Sequence, residues 1–161
     1  MNMTPALPVL ATLVVGSNWA ASLNGDSRGL QSGEDRERFL ALRNSDAVGA
    51  IVIGARTAEV EPYQKTPHPL FIYTRSVGVT PAQFIGEVRK QVSGSILCEG
   101  GVQLIHSLLR ENVIDIFHLT RVSKAGDNHF LNSELLRMHM ALIHSEQINT
   151  STFEKYERAS R

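Results

Sequence analysis

Short runs rich in apolar and β-branched residues recur along the chain. They are "TLVVGSNWAAS" (12–22), "AVGAIVIG" (47–54), "HPLFIYT" (68–74), "SILC" (95–98) and "DIFHLTRV" (115–122), and each predicts a strand. Between them the apolar positions take a helical spacing. "GEDRERFLALRN" (33–44) predicts a helix with Phe39, Leu40 and Leu42 facing inward, its charges facing out, and Ser32 as cap ahead of Glu34 and Asp35. "VTPAQFIGEVRKQV" (79–92) predicts another, with Thr80 as cap, Pro81 at the first helical position, and Phe84, Ile85 and Val88 on one face. "GVQLIHSLLREN" (101–112) predicts a third. In the tail (129–158), "LLRMHMALIHSEQI" fits either period and "TFEKYER" reads as a last short strand.

Strands that alternate with helices require crossover connections. The expected fold is therefore α/β: a mostly parallel central sheet flanked by helices, with antiparallel strands near the C-terminus. With 161 residues and no linker or repeat, one domain over 1–161 is expected. The apolar stretch "PALPVLATLVVG" is short, contains two prolines and has no basic residues ahead of it. It is a poor signal peptide and too short to span a bilayer, so it reads as a loop entering a core strand of a cytoplasmic protein.

Charge narrows the partners. Lys+Arg and Asp+Glu balance at 16 each, without the basic excess of a nucleic-acid binder, so the expected partner is a small molecule rather than nucleic acid or membrane. The single cysteine, Cys98, excludes an internal disulfide and a cysteine-based zinc site. The six histidines (68, 106, 118, 129, 139 and 144) show no metal spacing and read as surface or core residues. The charge run 34–38 reads as a solvated helix face.

Ligands of such sheets bind at the carboxyl ends of the strands. Three strand ends carry residues suited to phosphate. "GARTAEVEP" offers Gly54 for close approach, Arg56 as a cation and Thr57 as a cap or hydroxyl donor. "TRS" offers Thr74, Arg75 and Ser76, and an arginine can pair with two phosphate oxygens. "EGG" offers Gly100 and Gly101 ahead of a helix start, a geometry suited to pyrophosphate. Each alone is equally an ordinary turn. Three at successive strand ends point to a dinucleotide. Glu99 would repel phosphate and is expected to face a donor on a second ligand.

Four segments carry a resemblance. They are "AASLNGDSRGLQSGEDR", "LRNSDAVGAIVIGARTAEVEP", "PLFIYTR" and "ILCEGGVQLIHSLLRENVIDIFHLTRV", in that order over about 20 to 122. The chain resembles the pyrimidine reductase domain of riboflavin biosynthesis, which has a dihydrofolate reductase-like fold. The resemblance implies an NADPH-dependent 5-amino-6-(5-phosphoribosylamino)uracil reductase, with hydride transfer to the ribosyl C=N/C=O carbon, and a homodimer. It implies cofactor contacts at Ala20, Thr57, Glu61, Thr74, Arg75, Gly100, Gly101, Val102 and Gln103, to which the strand-end reading adds Gly54 and Arg56. It implies substrate contacts at Asp35, Arg43 and Glu99, with Glu99 or water as proton donor. Arg75 and Arg56 favour NADPH over NADH. No metal is implied.

The chain departs from the family pattern in four places, one of them a stretch between Arg75 and Ser95 that is short for the family. Asn24-Gly25 stands where Asp-Gly is usual, and Glu61 stands where Asp is usual. The segment after Glu61, "PYQKTPHP", lacks the usual phosphate-binding arginine and offers only Lys65 or His68. These departures keep open a pterin or small carbonyl substrate, or a non-catalytic nucleotide-binding role.

Overall fold

The computed structural model describes residues 7–61 and 65–159. The first residues of the apolar N-terminal stretch, and residues 62–64 of the segment that departs from the family pattern, lie outside this set. Nine strands and five helices are described. The strands are β1 (Val9–Val15), β2 (Ala20–Ser22), β3 (Val48–Gly54), β4 (Leu70–Tyr73), β5 (Ser95–Cys98), β6 (Ile116–Val122), β7 (Asn128–Phe130), β8 (Met140–Ile148) and β9 (Ser151–Arg158). The helices are α1 (Gly33–Arg43), α2 (Ala55–Val60), α3 (Pro81–Gln91), α4 (Val102–Arg110) and α5 (Ser133–His139).

Seven strands form one sheet in the order β4-β3-β5-β1-β6-β9-β8. β4 through β6 run parallel, and β9 and β8 are antiparallel, as the alternation and the strand-rich tail predict. The central strands are buried on both faces. One face packs Ala11, Val52, Cys98 and Phe117 against Ile85 and Val88 of α3, Leu104, Ile105 and Leu108 of α4, and Leu136 of α5. On the opposite face Val14 and Val122 pack with Leu30, on the side where α1 meets the sheet.

Local chemistry sets several boundaries where expected. Thr80 forms a reciprocal capping box with Gln83, and Pro81 opens α3. The Ser32 hydroxyl accepts from the Asp35 amide. Other boundaries differ from the sequence reading. The run 12–22 is not one strand, because the chain turns at 16–19 and Ala20–Ser22 pairs with β7 in a separate two-stranded sheet. A Cβ at Gly16 would lie 2.5 Å from the Lys124 carbonyl oxygen, so the bend there needs glycine. Thr57 lies inside α2 rather than capping it, since Gly54 occupies the N-cap. The ambiguous tail is both structures, with α5 ending at His139 and β8 starting at Met140. In α1 the buried residue is Asp35, whereas Phe39, Leu40 and Leu42 are only partly buried.

At Gly49, on β3, a Cβ would sit 2.1 Å from the Ser93 carbonyl oxygen, with the backbone itself as the obstacle. Gly49→Ala is expected to lower folding stability by roughly 1–3 kcal/mol. Chemical denaturation should read this as a lower midpoint with an unchanged slope.

Candidate functional site

A cleft of about 580 Å³ opens at the carboxyl ends of the parallel strands. Its floor is Thr12, Leu13 and Val14 of β1. Gly54 follows on β3, Thr74 lies just after β4 and Glu99 just after β5.

The three turns read from sequence converge here. α2 and α4 both begin on glycine N-caps, Gly54 and Gly101, with no side chain capping either. The first N–H groups of α4 thus have no intrahelical acceptor and face the cleft edge at Val102 and Gln103. The two turns touch each other: the Gly54 amide donates to the Gly100 carbonyl at 2.8 Å. Gly100 has φ +106, which favours glycine, and a Cβ on Gly101 would come within 3.0 Å of the Thr57 hydroxyl. Beside them Arg75 opens a short 3-10 helix, Arg75–Val77. Its guanidinium makes no ion pair among the described residues, and the Thr74 and Ser76 hydroxyls lie 2.7 Å apart. These groups could hold a phosphorylated dinucleotide: unpaired amides for the pyrophosphate, a free cation for a further phosphate, and glycines for close approach.

The cleft is also lined by two carboxylates with different surroundings. The Glu99 side chain is 1% exposed and is gripped by Arg43, with Nε to Oε2 at 2.9 Å and Nη2 to Oε1 at 2.5 Å. Arg43 also lies over the Phe39 ring at 4.4 Å. Asp35 is buried at the start of α1, beside the polar side chains of Thr120 on β6 and Gln31. Burial raises its pKa above the ordinary aspartate value, against the influence of those two polar side chains and the charge of Arg38. A carboxyl of this kind can donate a proton.

A hairpin tip overhangs the cleft. Leu23 and Asp26 pair, and Asn24 (φ 57) and Gly25 (φ 99) make the two-residue turn between them. The Leu23 amide donates to the Asp26 carbonyl at 2.8 Å. The tip is tied to α2. Glu61 Oε1 accepts from the Ser27 amide at 3.0 Å and the Ser27 hydroxyl at 2.9 Å, and Arg56 reaches the Gly25 carbonyl at 3.5 Å. Glu61 thus spends its Oε1 on the strap.

Of the residues singled out from sequence, Gly54, Arg56, Thr57, Glu61, Thr74, Arg75, Glu99, Gly101, Val102, Gln103, Asp35 and Arg43 all line this one cleft. Ala20 and Gly100 do not. Ala20 is fully buried, and its neighbours Ala21 and Ser22 face the cleft instead. Lys65 and His68, considered in place of the missing arginine, do not line it either. Trp19 also points elsewhere, with its ring against Arg121 and Arg137 at 5.3 and 5.9 Å. Sequence reading missed Ser27, Thr120, Ser22 and His129. His129 is not a generic surface or core histidine: it lines the cleft and bonds Ser22 through Nδ1 at 2.8 Å.

Solved structures share this architecture. The deaminase/5-amino-6-(5-phosphoribosylamino)uracil reductase of Thermotoga maritima aligns over 95% of this chain with TM-score 0.72 and 14% identity. A dihydrofolate reductase of Enterococcus faecalis, solved with NADP(H) and RAB-propyl, aligns over 95% with TM-score 0.64 and 13% identity. The fold is dihydrofolate reductase-like. A protein of Shewanella sp. PV-4 described as a riboflavin biosynthesis protein aligns over 96% of this chain and all of its own, with TM-score 0.72 and 16% identity. The chain spans 57% of the length of the Thermotoga protein and 97% of the dihydrofolate reductase. No protein-family model and no curated protein matches the sequence.

The strap is testable without any ligand. Glu61→Ala removes the acceptor of two hydrogen bonds, so amides 24–28 are expected to exchange with solvent about tenfold faster. The amides of β1 and β5 should keep their protection. Equal exchange in variant and wild type would mean that Glu61 does not hold the strap.

Proposed function

We propose that the protein is an NADPH-dependent oxidoreductase that reduces a polarised C=N or C=O bond of a pyrimidine-type small molecule, as the 5-amino-6-(5-phosphoribosylamino)uracil reductases do. The observation that carries this reading is the pairing, within one cleft, of phosphate-suited turns with a buried carboxyl on the opposite wall. The first would hold a dinucleotide; the second would serve the atom being reduced. When bound, the nicotinamide would supply hydride to the electrophilic carbon.

The chain's own residues would do the rest. Gly54, Gly101 and the start of α4 would take the pyrophosphate, and Thr74 and Arg75 the adenosine phosphate. Asp35, whose burial favours its protonated form, would give a proton to the nitrogen or oxygen that receives the bonding pair. This assigns the proton to Asp35 rather than Glu99, because both Glu99 oxygens already accept from Arg43. Glu99 and Arg43 would then shape the substrate end as one unit. The strap would keep water from the reacting atoms.

A cytoplasmic homodimer suits the surface. β8 is a free edge strand with Leu142, Ile143 and Ile148 exposed, and a second copy could add its own edge there. No helix among the described residues is long and apolar enough to cross a membrane.

Calorimetric titration of the purified protein tests the cofactor half. NADPH is expected to bind with micromolar affinity and NADH at least tenfold more weakly, with most of that difference lost in Arg75→Ala. Absence of binding by either at millimolar concentration would sink the reductase reading. Binding without turnover on any pyrimidine, pterin or carbonyl substrate would favour a nucleotide-binding protein.

Asp35→Asn tests the chemical half. Turnover should fall by roughly a hundredfold or more. Stability should move the other way. A carboxyl whose folded pKa is raised costs stability as pH rises above its unfolded value of about 3.9, and Asn has no such cost. The melting temperature of the variant relative to wild type should therefore increase from acid toward neutral pH. A parallel loss of stability and activity would make Asp35 structural only.

A further inference from the structure

The proposed reductase leaves one wall of the cleft unused. β2 and β7 pair antiparallel, with Ser22 opposite Asn128. The Ser22 side chain is nearly buried, and its single hydroxyl proton goes to the Asn128 carbonyl at 3.1 Å. The same oxygen lies 2.8 Å from His129 Nδ1. Since Ser22 donates to Asn128, it accepts from His129, which puts the ring hydrogen on Nδ1. The nitrogen left over is Nε2, the atom that gains a proton if the ring becomes charged.

The charges around this ring come from separate elements. Arg56 stands on α2, lines the same cleft, and reaches the Gly25 carbonyl at the strap tip at 3.5 Å. Asp127 precedes β7, and its carboxylate is occupied by the Asn24 amide at 3.1 Å. β2 contributes only the neutral Ser22. Burial and then Arg56 lower the His129 pKa below the usual imidazole value, and Asp127 partly opposes them. A fixed cation and an imidazole whose neutral form is favoured thus line one cleft, with Asp127 only partly offsetting a second positive charge.

We propose that His129 and Arg56 form a two-sided clamp on an anionic group of the ligand, a phosphate of a dinucleotide, at the mouth of the cleft beneath the Gly25 tip. An anion between the two offsets the repulsion by which Arg56 disfavours the charged ring. Binding therefore draws a proton onto Nε2, which becomes a charge-assisted donor to the phosphate. The sign follows. Affinity rises as pH falls through the imidazole range, and protons are taken up on binding. The dinucleotide itself rests on the reductase reading; the clamp requires only a phosphate.

Two measurements on the full chain test this and separate it from that reading. The first uses no ligand: the titration of His129 followed by NMR in wild type and Arg56→Gln. The pKa is expected to rise in the variant, and an unchanged value would overturn the juxtaposition. The second is calorimetry with NADP+ and, separately, inorganic pyrophosphate, in buffers of different ionisation enthalpy. Proton uptake and a tightening of at most about tenfold on acidification are expected, both abolished in His129→Gln. Uptake with pyrophosphate alone would uphold the clamp while the dinucleotide reading fails. Binding of NADP+ with no proton uptake, and with the same pH profile in His129→Gln, would overturn the clamp.

Discussion

The cleft depends on the ion pair between Arg43 and Glu99. A carboxylate this buried costs several kcal/mol in desolvation unless it is fully compensated, and removing one partner of such a pair costs about 3–5 kcal/mol. Here the compensation is a two-point grip by one guanidinium, which also stacks on Phe39. The pair joins the last residue of α1 to the residue after β5. At the other end of the same helix, the buried Asp35 lies beside Thr120 of β6. α1 is therefore anchored at both ends, to the two strands that flank β1. The eight helical steps from Asp35 to Arg43 rise about 12 Å. Two strand spacings across β5, β1 and β6 are about 10 Å. The match lets α1 lie across the carboxyl end of β1 with both side chains reaching inward, leaving Thr12, Leu13 and Val14 as the floor.

The two pins are chemically unlike, and the difference divides the labour in the cleft. Glu99 is half of an ion pair and both its oxygens are engaged by the arginine. Asp35 has hydroxyl and amide partners and only the field of Arg38, so burial dominates and favours its protonated form. Environments that treat two neighbouring carboxyls differently are how one site separates a fixed charge from a mobile proton. The same helix thus supplies a permanent cation at its end and, at its start, a carboxyl whose burial favours the proton.

Features fixed by local chemistry were legible in the sequence. The Thr80-Pro81 start, the β-branched run of β3, and the glycines and arginines at the strand ends each state their role within a few residues. The partners were not legible, because they lie far apart in sequence. Ser22 meets His129 and Asp35 meets Thr120 across most of the chain, and three-residue strands such as β2 and β7 leave no periodicity to read. Asp35 was marked as substrate-side, yet it sits in a charge run that reads as a solvated face, and only the fold shows that this one charge is buried. The tail failed for a different reason. Leu135 and Leu136 belong to a helix, while Leu142 and Ile143 belong to an exposed edge strand, and an edge strand has no buried face to impose alternation.

The departures at Asn24 and Glu61 gain a common meaning from their positions. The turn at 24–25 requires positive φ at both residues, and Asn is among the few side chains that accept it, so Asn24 preserves the hairpin that Asp would make. Glu61 stands at the end of α2, and its carboxylate reaches back to the strap two residues beyond that turn, at Ser27. Both residues thus act on how the strap closes over the cleft. Neither touches the frame of Asp35, Thr120, Arg43 and Glu99 that sets its width. A change confined to the cover alters which molecules enter and how tightly they are enclosed, while the groups that would hold a cofactor and move a proton stay in register beneath it.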